Sequence, residues 1–271
     1  MKIEAKSKLE EHILSHLTPE GGFLDLEDKN VTPEHLRLLC QAGETLQKVK
    51  QLDLSDNGLG DAEIELLSKS RCLPKLEKLF LNHNKISDSG AKILAESKLV
   101  QNISCLMLEA NQIGVNGAQS LATSLNLKNL ETLFLDSNPI GPEGAEALAR
   151  SKCLPSLTAL HMDSTGIGDQ GVKAIAASQT LSKIKKLYLC SNKIGDEGAI
   201  ALSQSPNLSH LTCLSIWRNE IRDAGGKAIA ESNHFLKLER LYMSLNLIEK
   251  PTRKLIRASD MASRLKTLVM D

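Results

Sequence analysis

Aromatic side chains are scarce in this chain: one Trp, two Tyr and four Phe among 271 residues. A core of ordinary build leans on such rings, so the interior here must be aliphatic. Charge of one sign is missing too, with 33 Lys plus Arg against 33 Asp plus Glu. That argues against a general nucleic-acid binder, whose affinity rests on many phosphate contacts. No apolar run is long enough to cross a bilayer, and Met1 to Leu17 is charged throughout, without the apolar stretch of a secretory leader. A cytoplasmic protein that does not enter a membrane is the expectation. Phosphate-binding loops are absent as well. Gly58-x-Gly60 has no third glycine, and Gly166-x-Gly168-x-x-Gly171 falls inside a repeated turn. No cofactor is expected.

The chain does contain one phrase, written over and over. Ile184 to Gly198 reads I-x-x-L-x-L-x-x-N-x-I-x-x-x-G, and its first slot is filled elsewhere by Val49, Leu76, Ile103, Leu130, Leu157, Leu211 and Leu238. The asparagine recurs as Asn57, Asn84, Asn111, Asn138, Asn192, Asn219 and Asn246 on a 27-residue period, with Thr165 in the one slot that breaks the series. A fixed period of this size marks a stacked architecture in which each unit packs on its neighbours. The two leucines before each asparagine alternate as a short strand and point inward. The asparagine amide both donates and accepts, so it can pair buried backbone groups of adjacent turns; a threonine can do less, and one lost bond costs about 1 kcal/mol. After it, stretches such as Asp88 to Ala95 predict a helix, opened by small pairs such as Gly117-Ala118, Gly144-Ala145 and Gly198-Ala199.

On these residues the chain resembles leucine-rich repeat proteins. Its helix-bearing second half is similar to the ribonuclease-inhibitor-like subclass, which includes NOD-like receptors and a GTPase-activating protein. The resemblance implies an α/β fold: a curved solenoid or horseshoe with a parallel sheet on the concave face and helices on the convex face. Strands stack about 4.8 Å apart and helices about 8–10 Å, which bends the stack the same way. Residues 1–19 are expected to form an amphipathic capping helix, with Ile3, Leu9, Ile13, Leu14 and Leu17 near helical spacing, and residues 20–271 a repeat domain of about ten strands. The last strand, Leu265 to Met270, has no helix after it, so that edge is open to pairing with another chain. The six cysteines form no C-x-x-C pair or zinc spacing; Cys72 and Cys153, in matching Cys-Leu-Pro phrases three periods apart, lie too far from each other to bridge. Free thiols in a reducing compartment follow.

Outward strand positions carry the candidate site. The central column reads Asp53, Phe80, Met107, Phe134, His161, Tyr188, Ser215, Tyr242, Val269, with Trp217 one column over, beside the small Ser215. Five of the seven aromatics thus face out, and exposed contiguous apolar surface marks an interaction site. The alternative is that the rings simply stack along the ladder, each neighbour worth about 0.2–1 kcal/mol. In the next column Glu109, Asp136 and Asp163 form an acidic ladder, and Lys185, Lys186, Arg218 and Arg240 lie toward the C-terminal half. That polarity is expected to steer a partner. A calcium site on the three carboxylates lacks the carbonyl-rich loop such sites use. His161 lies near Cys190, but no oxyanion hole or enclosed pocket accompanies the pair.

The expected function is a non-enzymatic protein-interaction scaffold with its partner in the concave groove. Tyr188, Trp217 and Tyr242 are the expected anchors, with Phe80 and Phe134 extending the contact. The short, regular unit resembles bacterial members of the family, which makes an effector acting in a host cytosol an expectation by analogy. Rival readings are a GTPase activator or other enzyme regulator, a substrate-recognition module of a ubiquitin ligase, and an inhibitor of a basic enzyme.

Overall fold

The computed structural model describes residues 11–41 and 43–271. Residues 1–10, and with them Ile3 and Leu9 of the expected capping helix, lie outside the described residues. Ten three-residue strands form one parallel sheet in chain order. They are β1 Phe23–Asp25, β2 Gln51–Asp53, β3 Lys78–Phe80, β4 Cys105–Met107, β5 Thr132–Phe134, β6 Ala159–His161, β7 Lys186–Tyr188, β8 Cys213–Ser215, β9 Arg240–Tyr242 and β10 Thr267–Val269. The helices between them are α1 Pro33–Leu39, α2 Asp61–Ser68, α3 Asp88–Glu96, α4 Val115–Ala122, α5 Gly141–Ala149, α6 Gly168–Ala177, α7 Asp196–Ser203, α8 Asp223–Ala230, α9 Lys250–Arg257 and α10 Asp260–Arg264. The open sheet lines one side and the helices the other, as a leucine-rich repeat solenoid does.

The interior is a stack of aliphatic layers. The middle residue of β2 to β9 is a leucine with no exposed surface (Leu52, Leu79, Leu106, Leu133, Leu160, Leu187, Leu214, Leu241). Phe235 is the one aromatic side chain buried among the aliphatic residues of that core.

Three polar ladders tie the layers together, because each turn leaves backbone groups without a partner of their own. The asparagine ladder is the first. Asn84 donates through Nδ2 to the carbonyls of Leu54 (3.0 Å), Leu81 (3.1 Å) and Asn82 (3.1 Å), and its Oδ1 accepts from the Leu59 N–H (2.8 Å). Asn111, Asn138 and Asn219 repeat the pattern. Thr165 shares its one hydroxyl proton between the Met162 carbonyl (2.7 Å) and Asn192 Oδ1 (3.0 Å), and its Oγ1 makes no bond to Leu135 O.

The second ladder starts four of the helices from the repeat before each. Asp61 Oδ1 accepts from the N–H groups of Ser87 and Gly90, Asp88 Oδ1 from Gly114 and Gly117, Asp169 Oδ1 from Gly195 and Gly198, and Asp196 Oδ1 from Arg222 and Gly225. This is N-capping by a neighbour's carboxylate. It also explains the glycine: a Cβ on Gly90 would sit 2.4 Å from Asp61 Oδ1. Val115 and Pro142 break the series, and the two helices they fail to cap begin instead at glycines with left-handed backbone, Gly141 (φ 66°) and Gly168 (φ 55°).

The third ladder closes the helix ends. Ser97, Ser124, Ser151, Ser178, Ser205 and Ser232 each donate to a carbonyl at the end of the helix one repeat earlier, at 2.5–2.9 Å.

The two ends of the stack differ. At the N-terminal end, residues 11–15 are helical, Ile13 is buried, Leu14 and Leu17 pack on the core, and Leu17 bridges Leu24 antiparallel. At the other end β10 is an edge: Leu268 is only partly buried and Val269 is 41% exposed. Arg253 and Arg257 of α9 bond the carbonyls of Asp271 and Met270 there. No helix is long and apolar enough to cross a membrane among the described residues. The six cysteines are free, Cys190 and Cys213 being buried.

Candidate functional site

The sheet register sets the outward column directly. Asp25, Asp53, Phe80, Met107, Phe134, His161, Tyr188, Ser215, Tyr242 and Val269 stand side by side from β1 to β10. Phe23 also lies on this face, at the start of β1 opposite Gln51. Its repeat is one residue longer than the others, which hides it from a fixed 27-residue comparison.

The expected exposure of this column is corrected by packing. Phe80, Met107, Phe134, His161, Tyr188 and Tyr242 are all half-buried, and Ser215 is buried, so it forms no open gap. In the middle the rings cover each other: Phe134 and His161 stack at 3.8 Å between centroids, and His161 and Tyr188 at 4.1 Å. Burial, with Lys186 adding to it, pushes the His161 imidazole down to about 4. The ring is neutral near pH 7 and is a stacking partner rather than a charge.

The acidic ladder is also partly spoken for. Asp136 Oδ1 accepts the Asp163 N–H (2.6 Å), and Asp163 Oδ1 accepts the Cys190 N–H (2.6 Å). Further along, Asn82 Oδ1 takes the Glu109 N–H and Ser55 Oγ takes the Asn82 N–H. These side chains continue the strand pairing past the last ladder bond. Burial raises Asp136 to about 7, against the Asp163 N–H and helped by the Asp163 and Glu109 charges; burial raises Asp163 as well. Two of the three carboxylates expected to face a partner therefore serve the sheet. The acidic end lies elsewhere, at β1 and β2, where Asp25, Glu27 and Asp53 bring carboxylate oxygens within 4.8 Å of one another. Asp25 and Asp53 each accept a local backbone N–H there (3.2 and 2.9 Å).

Cys190 and His161 do not suit nucleophilic chemistry. The Cys190 thiol meets Ser215 Oγ at 3.0 Å, and burial pushes it up to about 11. A thiolate–imidazolium pair needs the opposite shifts.

The C-terminal end of the face is different. Trp217 is 37% exposed, Leu245 52%, Leu247 48% and Val269 41%. Arg218 and Leu245 occupy the turn position that is left-handed in every repeat from Asp56 on (φ 55° and 52°). Earlier repeats put Asp56, His83, Ala110, Ser137, Ser164 and Ser191 there. A leucine held in that conformation is strained by about 1–2 kcal/mol, and its side chain stands in solvent. Arg240 is half-buried, and its Nε is sealed from water without a hydrogen-bond partner. Beside it Cys213 Sγ lies 3.6 Å from the Tyr188 hydroxyl, whose value is pushed up to about 12, chiefly by burial. Among the described residues Lys185, Lys186, Arg218 and Arg240 make no ion pair, while Lys50, Lys173 and Lys266 do. The structure thus brings Tyr188, Trp217, Arg218, Arg240 and Tyr242 together on β7–β9 and their following turns. It leaves Phe80 and Met107 on the other side of the central stack.

A family model for the Leucine Rich repeat matches residues 45–67, 72–95, 126–149, 153–176, 180–203 and 207–230, just over half of the chain. The repeat holding β4 and α4 falls between the matches, yet it carries Asn111 in the regular asparagine pattern. No curated protein matches the chain.

Proposed function

Because the chain belongs to the leucine-rich repeat family, whose repeats generally mediate protein–protein interaction, we propose that it is a non-enzymatic scaffold binding a protein partner on its sheet face. The anchors are Trp217 and Tyr242, with Tyr188 beside them and Arg218 and Arg240 contributing charge. Phe80, Met107 and Phe134 flank the contact or support it through the stack. The observation that carries this reading is the run of exposed Trp217, Leu245 and Val269 at one end of a sheet whose middle is closed by its own side chains. Trp, Tyr and Arg are the residues that dominate interface energetics. Outer helices in every regular repeat support a place with the ribonuclease-inhibitor-like type. The effector expectation rests on analogy from the short, regular repeat.

The test is affinity capture from a cell lysate, followed by titration of the purified captured protein against three forms. These are the wild type, Trp217→Ala/Tyr242→Ala, and Phe80→Ala/Phe134→Ala. The reading expects the first variant to lose the partner and the second to keep it. Equal binding by Trp217→Ala/Tyr242→Ala overturns it. The partner's identity then separates a passive binder from a regulator of a GTPase or another enzyme.

A further inference from the structure

We infer that Arg240 is the centre of a carboxylate-binding site, and that the C-terminal end of the sheet face is fitted to an extended acidic peptide segment. This rests on the partner-face reading above and adds the chemistry of the partner.

Arg240 begins β9 and lies between Cys213 and Thr267 in the register, neither of which carries a negative charge. Its Nε is buried and unpaired. The adjacent Glu239 is turned to Lys266 at 3.0 Å, and the carboxylate of Asp271 accepts the Leu245 N–H at 3.0 Å. A guanidinium presents donors in a planar fork that matches a carboxylate. Here that fork sits half-sealed with no acceptor of its own. The Nε–H is itself beyond a ligand's reach, but the two terminal nitrogens of the fork make no hydrogen bond and are open to solvent, so they are the donors that meet an incoming carboxylate.

The surrounding charge makes the same choice. Lys185, Lys186 and Arg218 share this end of the face and make no ion pair among the described residues, while Asp25, Glu27 and Asp53 gather at the opposite end. An acidic segment is attracted to β7–β9 and repelled from β1 and β2. Trp217 and Leu245 stand beside the cations with exposed apolar surface. They suit an apolar side chain set between two carboxylates. A neutral chain overall argues against a phosphate backbone as the occupant.

The experiment is an anisotropy titration of the whole chain into a fluorescein-labelled hexapeptide of alternating Glu and Tyr. A labelled oligo-thymidylate is titrated in parallel. Expected are saturable peptide binding that weakens with added salt, and a loss of roughly tenfold in Arg240→Gln. Arg240→Lys recovers only part of that loss, since a point charge lacks the fork. Asp53→Asn leaves the affinity unchanged. Absence of saturable peptide binding, equal binding by Arg240→Gln of unchanged unfolding temperature, or preference for the oligonucleotide each overturns the proposal. If Trp217→Ala/Tyr242→Ala loses the captured protein while Arg240→Gln retains it, the partner-face reading stands and the carboxylate site falls.

Discussion

The middle and the C-terminal end of the sheet face carry the same kinds of residue in opposite states. In the middle, His161 stacks between Phe134 and Tyr188 at 3.8 and 4.1 Å, and Asp136 and Asp163 spend an oxygen each on a neighbour's N–H. At the end, Trp217 and Leu245 are exposed and Arg240 Nε has no partner. A ring or a charge on an outward strand position is therefore not by itself a binding group. What separates the two regions is whether the protein's own atoms have already satisfied the side chain.

The largest expected effect breaks the comparison at its end. Trp217→Ala/Tyr242→Ala is expected to weaken partner binding about 100-fold, each anchor being worth roughly 1–2 kcal/mol or more. Urea unfolding should show a loss of roughly 1–2 kcal/mol, chiefly from the half-buried Tyr242 ring. Phe134→Ala is the converse in the middle: a stability loss of roughly 1–2 kcal/mol from the broken stack and half-buried ring, with partner affinity kept within about twofold. Calorimetric titration on both variants, with urea unfolding to confirm that both fold, separates the two regions. If both lose binding alike, the division is wrong.

Leu245→Gly sharpens the comparison from another side. Removing Cβ relieves the left-handed strain and should raise stability, by up to about 1 kcal/mol after the entropy of glycine is counted. The same change removes exposed apolar surface and should weaken binding. A variant destabilised by this change contradicts the strain argument.

The smallest net effects are with pH, because two groups in the middle oppose each other. Asp136 titrates near 7 in the folded chain against an ordinary 3.8, so its contribution is full below 3.8 and is lost as pH rises through about 7. His161 titrates near 4 against an ordinary 6.5, so its contribution is present above 6.5 and is lost as pH falls through about 4. Over the shared window the two slopes offset. The unfolding temperature should therefore be nearly level in mildly acid buffer, fall between about pH 6.5 and 7 and level off above. Asp136→Asn keeps an oxygen for the Asp163 N–H and should abolish the fall at high pH. His161→Phe keeps the stack and removes the offset, so its stability should fall steadily from about pH 4 to 7. An unchanged pH profile in either variant contradicts the assignment.

Much of this was legible before any coordinates. A period of 27 with alternating inward leucines dictates the stacked strands, and the asparagine column dictates the first polar ladder. Thr165 was legible as a weak rung for the same reason. Less legible was what the columns do to each other. Asp136 and Asp163 read as free carboxylates because their backbone partners stand 27 residues away and meet them only once strands are stacked. The Asp88 stretch read as the start of its own repeat's helix, but Asp88, like Asp61, Asp169 and Asp196, caps the next repeat's helix. The serine column from Ser97 to Ser232 recurs on the same period and was there to be read. Exposure at Trp217 and burial at Ser215 depend on the volumes of cross-strand neighbours, which a one-dimensional pattern does not contain.

The most direct test of the C-terminal site uses the chain's single tryptophan. Trp217 emission and its quenching by acrylamide are recorded while the captured protein is titrated in. A blue shift with protection from acrylamide, saturating with the measured affinity, is the predicted result. A partner that binds with full affinity while the Trp217 spectrum and quenching stay unchanged would contradict it and move the interface away from this end of the sheet.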